Sequence, residues 1–184
     1  MSSTSAPFGL RPAFHPSGTT RPSAYTILTG YAANILQNQP ISIGADGTIV
    51  ATAIGDRMIG TFQGVEYTDT LGKRIYSNRW LANTAAPDIV ASTTEDPAII
   101  YEIQSNAALT VAMIGEQFNS TVITAGSSVT GLSQLMLDVA STTTNASFRL
   151  LGKANYPDNA WGDTYVIAQV QISEHQFVAD VAAI

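Results

Sequence analysis

The stretch Thr164-Tyr-Val-Ile-Ala-Gln-Val-Gln-Ile172 decides the fold class. Every second position from Val166 to Ile172 is apolar, whereas the positions between them include Gln169 and Gln171. Successive side chains of a strand point to opposite faces, so a period of two predicts a β-strand with one buried face. A strand with one buried and one wet face is typical of an antiparallel sheet.

More β patterns precede this strand. Residues 40–44 alternate and lead through Ala-Asp-Gly into a second β-rich stretch over 48–52, which predicts a hairpin. Residues 57–67 form a long β-rich stretch that contains Gly60 and Gly64. A glycine inside a strand predicts a bulge or a sharp bend.

About ten short strands at fairly regular spacing predict an all-β chain. We expect an antiparallel β-sandwich or barrel body over residues 23–184, with two subdomains dividing near residue 105 as an open alternative. Residues 89–91 predict a short edge strand. The one segment with helical character covers residues 107–117, so we expect at most one short helix.

Residues 1–22 predict an extended N-terminal arm. Four prolines recur there at short intervals, and each fixes its own φ angle and disfavours helix before it. We expect no regular structure, with the arm either frayed or laid along another protein. We therefore expect a chain without residues 1–20 to keep a folded body. The candidate contact residues are Phe8, Leu10, Arg11, Phe14 and Arg21.

Composition excludes several classes of function. The net charge is −6 and the eight Lys and Arg residues are scattered, so we expect no nucleic-acid partner. The longest apolar runs, such as residues 98–101, are too short to span a bilayer, and the N-terminus does not resemble a signal peptide, so we expect no membrane association.

Cysteine is absent, which fits folding in a reducing cytoplasm. With only two histidines, we expect no metal and no cofactor.

The candidates for catalysis are few. Asp158, Asp163 and Glu174 are the acids from which a carboxylate pair for glycoside cleavage would come. Each of them lies in a turn or beside a strand end, which favours a structural role. His175 follows Glu174, and we expect these two residues to form a surface pair. We therefore expect no enzymatic activity.

The two tryptophans have three open interpretations. Trp80 ends a polar stretch, and Trp161 lies between a turn and the alternating strand. A tryptophan in such a place plugs one end of the core, fills a protein interface or stacks on a ligand such as a sugar. Trp80 and Trp161 are therefore candidate interface residues.

Six segments, spread in order over most of the chain, carry a resemblance to a known family. They are Phe8-Gly-Leu-Arg-Pro12, Ile59-Gly-Thr-Phe-Gln-Gly-Val-Glu-Tyr-Thr-Asp69, Gly72-Lys-Arg74, Ser77-Asn-Arg-Trp80, Pro157-Asp-Asn-Ala-Trp-Gly-Asp163 and Val170-Gln-Ile-Ser-Glu-His175. These segments resemble small virion proteins of tailed bacteriophages, and specifically the capsid cement, or decoration, proteins.

The resemblance implies a structural protein on the outer surface of an icosahedral head, made in the bacterial cytoplasm. Such a protein binds the major capsid protein, stabilises contacts between its subunits, and forms a homo-oligomer, most often a trimer, with a dimer as the alternative. The arm residues would then contact the capsid or a sister subunit. Two other functions stay open: a carbohydrate-binding or host-adhesion module that uses Trp161, and a minor head-tail component.

Overall fold

A computed structural model describes residues 4–142 and 146–180. Residues 1–3 of the predicted arm, and residues 143–145 and 181–184 of the predicted body, lie outside the described residues. The strands in chain order are β1 (Arg11–Phe14), β2 (Ser23–Tyr25), β3 (Ile35–Leu36), β4 (Pro40–Ile43), β5 (Ile49–Ala51), β6 (Gly60–Thr68), β7 (Arg74–Ser77), β8 (Arg79–Trp80), β9 (Val90–Thr94), β10 (Ile100–Gln104), β11 (Gln117–Ser120), β12 (Gly126–Ser127), β13 (Leu132–Ser133), β14 (Leu137–Thr142), β15 (Phe148–Lys153) and β16 (Ile167–Ile172).

The alternating stretch that predicts the fold class forms β16. Ala168, Val170 and Ile172 are buried, whereas the residues between them are partly exposed. This strand pairs antiparallel with β10 on one side and β15 on the other. The prediction of a half-buried antiparallel strand is confirmed, although the strand begins at Ile167.

Two six-stranded antiparallel sheets make up most of the structure. The C-side sheet has the order β1-β10-β16-β15-β11-β14, and the N-side sheet has the order β2-β9-β6-β4-β5, with β7 added to β6. Two short ribbons, β3–β8 and β12–β13, complete the strands. The all-β prediction is confirmed, and neither sheet closes into a barrel within residues 4–142 and 146–180.

Each sheet has its own hydrophobic core. The N-side core consists of Ile27, Ile35, Ile41, Ile49, Ile59, Phe62, Val65, Trp80, Ala86, Ile89 and Ala91. The C-side core consists of Leu10, Met58, Ile99, Tyr101, Ile103, Leu109, Phe118, Ile123, Leu135, Leu137, Phe148, Leu150, Val166, Ala168, Val170 and Ile172. The C-side core therefore includes two residues, Leu10 and Met58, from the first third of the chain.

Strand β6 contains the irregularity that its glycines predict. Its register with β9 shifts between Phe62 and Gly64, which is a β-bulge. A Cβ atom at Gly60 would lie 1.5 Å from the carbonyl oxygen of Thr94 on β9. The two backbones approach this closely only because Gly60 has no side chain.

The expectation of at most one short helix is confirmed for the described residues, but two local details are wrong: the helical extent over residues 107–117 and the edge position of residues 89–91. Within residues 107–117, the only helical structure is a 3₁₀ turn over Val111–Met113, and the buried side chain nearby is Leu109. A helix this short has too few backbone hydrogen bonds to be stable without a buried face. The strand predicted at an edge over 89–91 is β9, which lies inside the N-side sheet between β2 and β6.

The segment predicted as an unstructured arm is part of the C-side sheet. Residues 11–14 form β1, which pairs antiparallel with β10, so the expectation of no regular structure is wrong for them. The chain reaches β1 by crossing a turn of the N-side half, where Leu10 N–H donates to the carbonyl oxygen of Asn38 at 2.8 Å. Gly9 lies at this crossing with a φ of +77°, and a Cβ there would lie 2.7 Å from the same carbonyl oxygen.

Candidate interaction surfaces

Leu10 is the arm residue that the fold uses most completely. Its side chain is fully buried and belongs to the C-side core. In this structure it therefore packs inside its own chain and presents no surface to a capsid or to a sister subunit. The apolar alternation of the arm indicates a strand that completes the protein's own sheet.

Phe8 and Arg11 contact each other and the body. The Arg11 guanidinium lies 4.5 Å from the centre of the Phe8 ring, within range of a cation–π interaction. The same guanidinium donates to Glu102 Oε2 at 2.6 Å and to the Tyr156 hydroxyl at 3.1 Å. The Tyr156 hydroxyl also donates to Glu102 Oε2, and this hydrogen bond raises the pKa of the tyrosine. The charge of Arg11 is thus paired with Glu102 within the same chain.

Phe14 and Arg21 are the exposed members of the predicted contact set. Phe14 is 49% exposed at the end of β1, and Arg21 is exposed in the segment that leads to β2. Beside Phe14, His15 Nε2 lies 3.1 Å from Asp96 Oδ2. The five predicted contact residues therefore divide into a buried residue, a pair held against the body and two accessible side chains.

The two tryptophans occupy different places. Trp80 is fully buried in the N-side core and meets Tyr67 edge-on, with ring centroids 5.4 Å apart. Trp80 is therefore corrected from a candidate interface residue to a core residue, because its side chain has no exposed surface. Trp161 is partly buried and packs against the C-side core, so it offers only part of its ring to a partner.

Two of the acids considered for a carboxylate pair, Glu174 and Asp163, interact with different groups. Burial raises the pKa of Glu174, and the charges that act on it come from Asp180, Arg57 and Asp56. Asp163 accepts a hydrogen bond from Ala160 N–H at 3.0 Å, as a turn carboxylate does. Within residues 4–142 and 146–180, no cluster of three or more His, Asp or Glu side chains is arranged to hold a metal ion.

His175 is buried rather than paired at the surface. Its Nδ1 accepts from Phe177 N–H at 3.1 Å, which places the ring proton on Nε2, and Nε2 donates to the Glu95 carbonyl oxygen at 3.0 Å. Both nitrogens are used by the neutral ring, and burial lowers the pKa of His175. Met58 N–H donates to the Glu174 carbonyl oxygen at 3.1 Å, and Gln176 N–H donates to the Met58 carbonyl oxygen at 3.0 Å. The residues on either side of His175 thus join the C-terminal segment to the chain just before β6.

A surface that the sequence does not single out lies along β7, at an edge of the N-side sheet. We call Leu71, Tyr76 and Val129 the β7 edge surface. Leu71 is 91% exposed, Val129 83% and Tyr76 75%, the three highest values among the large hydrophobic side chains of the described residues. Beside Tyr76 lies an open groove of about 440 Å³ that is also lined by Gly64 and Ser92.

Hydrogen bonds hold the β7 edge surface in place. Asn78 Nδ2 donates to the Thr130 carbonyl oxygen at 3.0 Å, and Arg79 donates to the Val129 carbonyl oxygen at 2.7 Å. These bonds fix the β12–β13 turn against the end of β7. Arg74 on β7 pairs with Glu66 at 3.1 Å and with Asp88 at 2.5 Å. The three exposed side chains are thus carried by an anchored edge.

A recognisable signal for this surface does exist in the sequence. Leu71 is the single large apolar residue in the turn Thr68-Asp-Thr-Leu-Gly72, and Val129 is the single large apolar residue in Ser127-Ser-Val-Thr-Gly131. A bulky apolar side chain at the tip of a polar turn has no core to enter. Two such turns indicate an exposed apolar surface, although only the fold shows that they lie along one edge.

No helix long and apolar enough to cross a membrane occurs in the described residues. Comparison of the chain with protein-family models, with curated proteins and with solved structures found no match.

Proposed function

We propose that this protein is a capsid cement protein, which binds the outer surface of an icosahedral bacteriophage head and stabilises contacts between major capsid protein subunits. The sequence resemblance described above supports this proposal. The structural observation that carries it is the β7 edge surface, where Tyr76 on β7 and the turn residues Leu71 and Val129 near its two ends hold bulky apolar side chains in solvent. Apolar side chains gain free energy when a partner removes them from water.

Such a surface contributes part of the binding energy that a protein acting in many copies needs. Fully burying Leu71 and Val129 would contribute about 3–6 kcal/mol, before the entropic cost of association is subtracted. This is modest for one site. A protein that contacts several subunits at once binds multivalently, and binding only the assembled lattice stabilises that lattice by mass action.

The proposal is tested by copy number. Purified virions are digested, and quantitative mass spectrometry compares this protein with the major capsid protein. A ratio near one to one is expected for a protein that coats the whole shell. A ratio of a few per cent would overturn the cement function in favour of a minor head-tail component, and absence from the particle would overturn both.

A matched pair of variants tests the surface. Replacing Leu71, Tyr76 and Val129 together by Ser should reduce the number of copies bound per particle, because the apolar contacts are lost. The control replaces Leu28 and Ile54 by Ser; these residues are 51% and 52% exposed and lie outside the β7 edge surface. Equal binding by both variants would remove the β7 edge surface from the proposal.

Self-association is measured separately. We propose a homo-oligomer, with a trimer first and a dimer as the alternative, because cement proteins close around symmetry axes of the shell through cyclic interfaces. Sedimentation velocity of the wild-type protein gives the number of subunits. A monomer at every concentration would overturn the homo-oligomer in solution, and copies of the protein would then meet only on the capsid lattice.

A further inference from the structure

A second site lies in a cleft of about 330 Å³ between β3, the segment after β8 and the start of β12. Its apolar wall includes Ala33, Leu36 and Ala82. None of the side chains that line it carries a charge. A cleft of this size lies at the lower end of the range for small-molecule sites.

The polar group that makes this cleft a binding site is the Gln39 side chain. Gln39 is 1% exposed, and it lines the cleft. Its Oε1 accepts from Leu36 N–H at 2.9 Å, which fixes the orientation of the amide. Its Nε2 is buried and has no hydrogen-bond partner among the described residues. A buried donor without a partner is unfavourable, so an acceptor brought by a ligand would be held strongly.

The backbone holds Gln39 rigidly in this position. Gln39 N–H donates to the Leu36 carbonyl oxygen at 3.0 Å, and its own carbonyl oxygen accepts from Phe62 N–H at 3.0 Å. The preceding residue, Asn38, has a φ of +63° and is bonded to Phe62 and to Leu10 through its backbone. Gln39 itself is therefore held in one position, which limits the conformational freedom it loses on binding. Its Nε2 has almost no accessible surface, so the neighbouring lining of the cleft has to move slightly before an acceptor reaches the donor.

The other polar groups at the cleft are amide and hydroxyl groups. Asn34 Oδ1 accepts from Ala82 N–H at 2.8 Å, which leaves the Asn34 Nδ2 as a donor. Thr124 and Ser128 add exposed hydroxyl groups, which both donate and accept. These groups complement the hydroxyl groups of a sugar, and the small apolar wall complements a methyl group.

We propose that this cleft binds an N-acetylated sugar, with the acetamido carbonyl oxygen accepting from Gln39 Nε2. The acetamido methyl group lies against Ala33, Leu36 and Ala82, and the sugar hydroxyl groups face Asn34, Thr124 and Ser128. The absence of charge in the lining selects a neutral ligand over an acidic one. This site does not depend on the cement function, because the cleft and the β7 edge surface use different residues.

The test follows the Gln39 side-chain amide by NMR in the full-length, isotope-labelled protein. Titration with N-acetylglucosamine is expected to shift this resonance saturably. Glucose, which lacks the acetamido group, should bind at least tenfold more weakly. An equal response to both sugars, or no shift of the Gln39 amide, would overturn the proposal.

A peptide probe distinguishes binding of an N-acetylated sugar from binding of a peptide, which also carries an amide carbonyl group. N-acetylalanine methylamide presents the same carbonyl and methyl groups without sugar hydroxyl groups. We expect it to bind more weakly than N-acetylglucosamine. Tighter binding of the peptide probe would overturn the sugar assignment.

Two variants complete the test. Gln39→Glu keeps an oxygen for Leu36 N–H but removes the donor, and we expect at least a tenfold loss of affinity for N-acetylglucosamine. Because a buried carboxylate also threatens folding, Ala82→Leu is the second variant; Ala82 is only partly buried, and the larger side chain narrows the cleft while leaving Gln39 in place. Unchanged affinity in Ala82→Leu, with native peak dispersion, would overturn the location of the site.

Discussion

Replacing Leu10 by Ala tests whether the N-terminal segment belongs to the fold. Leu10 is fully buried among residues of the C-side sheet, although it lies in a segment that its prolines predict to be unstructured. Deleting a fully buried leucine side chain costs about 2–5 kcal/mol, through lost transfer energy and the cavity that remains. We take about 3 kcal/mol, in the lower part of this range, as the expected loss.

This loss has a measurable size. In a domain of this length, 1 kcal/mol lowers the melting temperature by roughly 2–4 °C, so Leu10→Ala should lower it by about 6–12 °C. Thermal unfolding followed by circular dichroism measures the shift. The control is Phe14→Ala, in which the lost side chain is 49% exposed and the expected shift is at most a few degrees. A melting temperature unchanged in Leu10→Ala would refute the packing of the arm against its own body.

The burial of Leu10 also changes the expected result of deleting residues 1–20. Without residues 1–20, the chain loses Leu10 from its core, β1 from the edge of the C-side sheet and the ion pair between Arg11 and Glu102. Strand β10 would then become an edge with unpaired backbone groups. We therefore expect this deletion to destabilise or aggregate the protein, and failure to coat particles would not by itself identify a docking arm.

Three further predictions follow from single positions. Gly60→Ala should prevent native folding, because its Cβ would lie 1.5 Å from the Thr94 carbonyl oxygen; soluble protein with native circular dichroism would contradict this. Burial lowers the pKa of His175 below 6.5, so the unfolded state binds the proton more strongly. Stability should be complete above pH 6.5 and fall as the pH drops below it, and denaturant unfolding at a series of pH values should show this slope, reduced in His175→Gln. Burial, followed by the hydrogen bond to Glu95, raises the pKa of Tyr25 to about 12. The stability that the neutral phenol provides should therefore be lost as the pH rises from 10 towards 12, and the ultraviolet titration of wild type minus Tyr25→Phe should show a late-ionising tyrosine.

Local periodicity predicts the strands whose burial is one-sided. Alternation in β16 and the glycines of β6 predict a buried face and a bulge that the structure confirms. Both features depend only on neighbours within a few residues. The position of β9 is different, because a strand inside a sheet and one at its edge have the same local sequence, and only pairing with β2 and β6 separates them.

The arm shows why composition alone misplaces a segment. Proline at position 12 removes one backbone donor, yet β1 still pairs with β10, with an irregular register between Pro12 and Phe14. Proline is tolerated in a strand at the edge of a sheet. The partner of β1 lies about 90 residues further along the chain, so no local pattern in the arm could predict it.

The candidate surfaces divide in the same way. Residue type alone predicts that a tryptophan lies at an interface, but Trp80 lies in the core. The most exposed large apolar side chains of the described residues are instead Leu71 and Val129, at the tips of two turns. No local sequence pattern distinguishes Gln39 from the other glutamines. Its unpartnered Nε2 is visible only when Leu36 and the cleft are placed around it.

The packing of the arm gives different free-energy costs to its two proposed partners, the capsid and a sister subunit. To lie on a capsid, β1 must leave β10, expose Leu10 to water and give up the Arg11–Glu102 pair. A capsid site would have to replace all of these contacts with different ones. Exchange with the arm of a sister subunit restores each contact in an identical environment, so its net cost is confined to the linking segment before β2. We therefore expect an arm that joins subunits of an oligomer to do so by exchange between copies, and Leu10→Ala should weaken the oligomer and the isolated fold together.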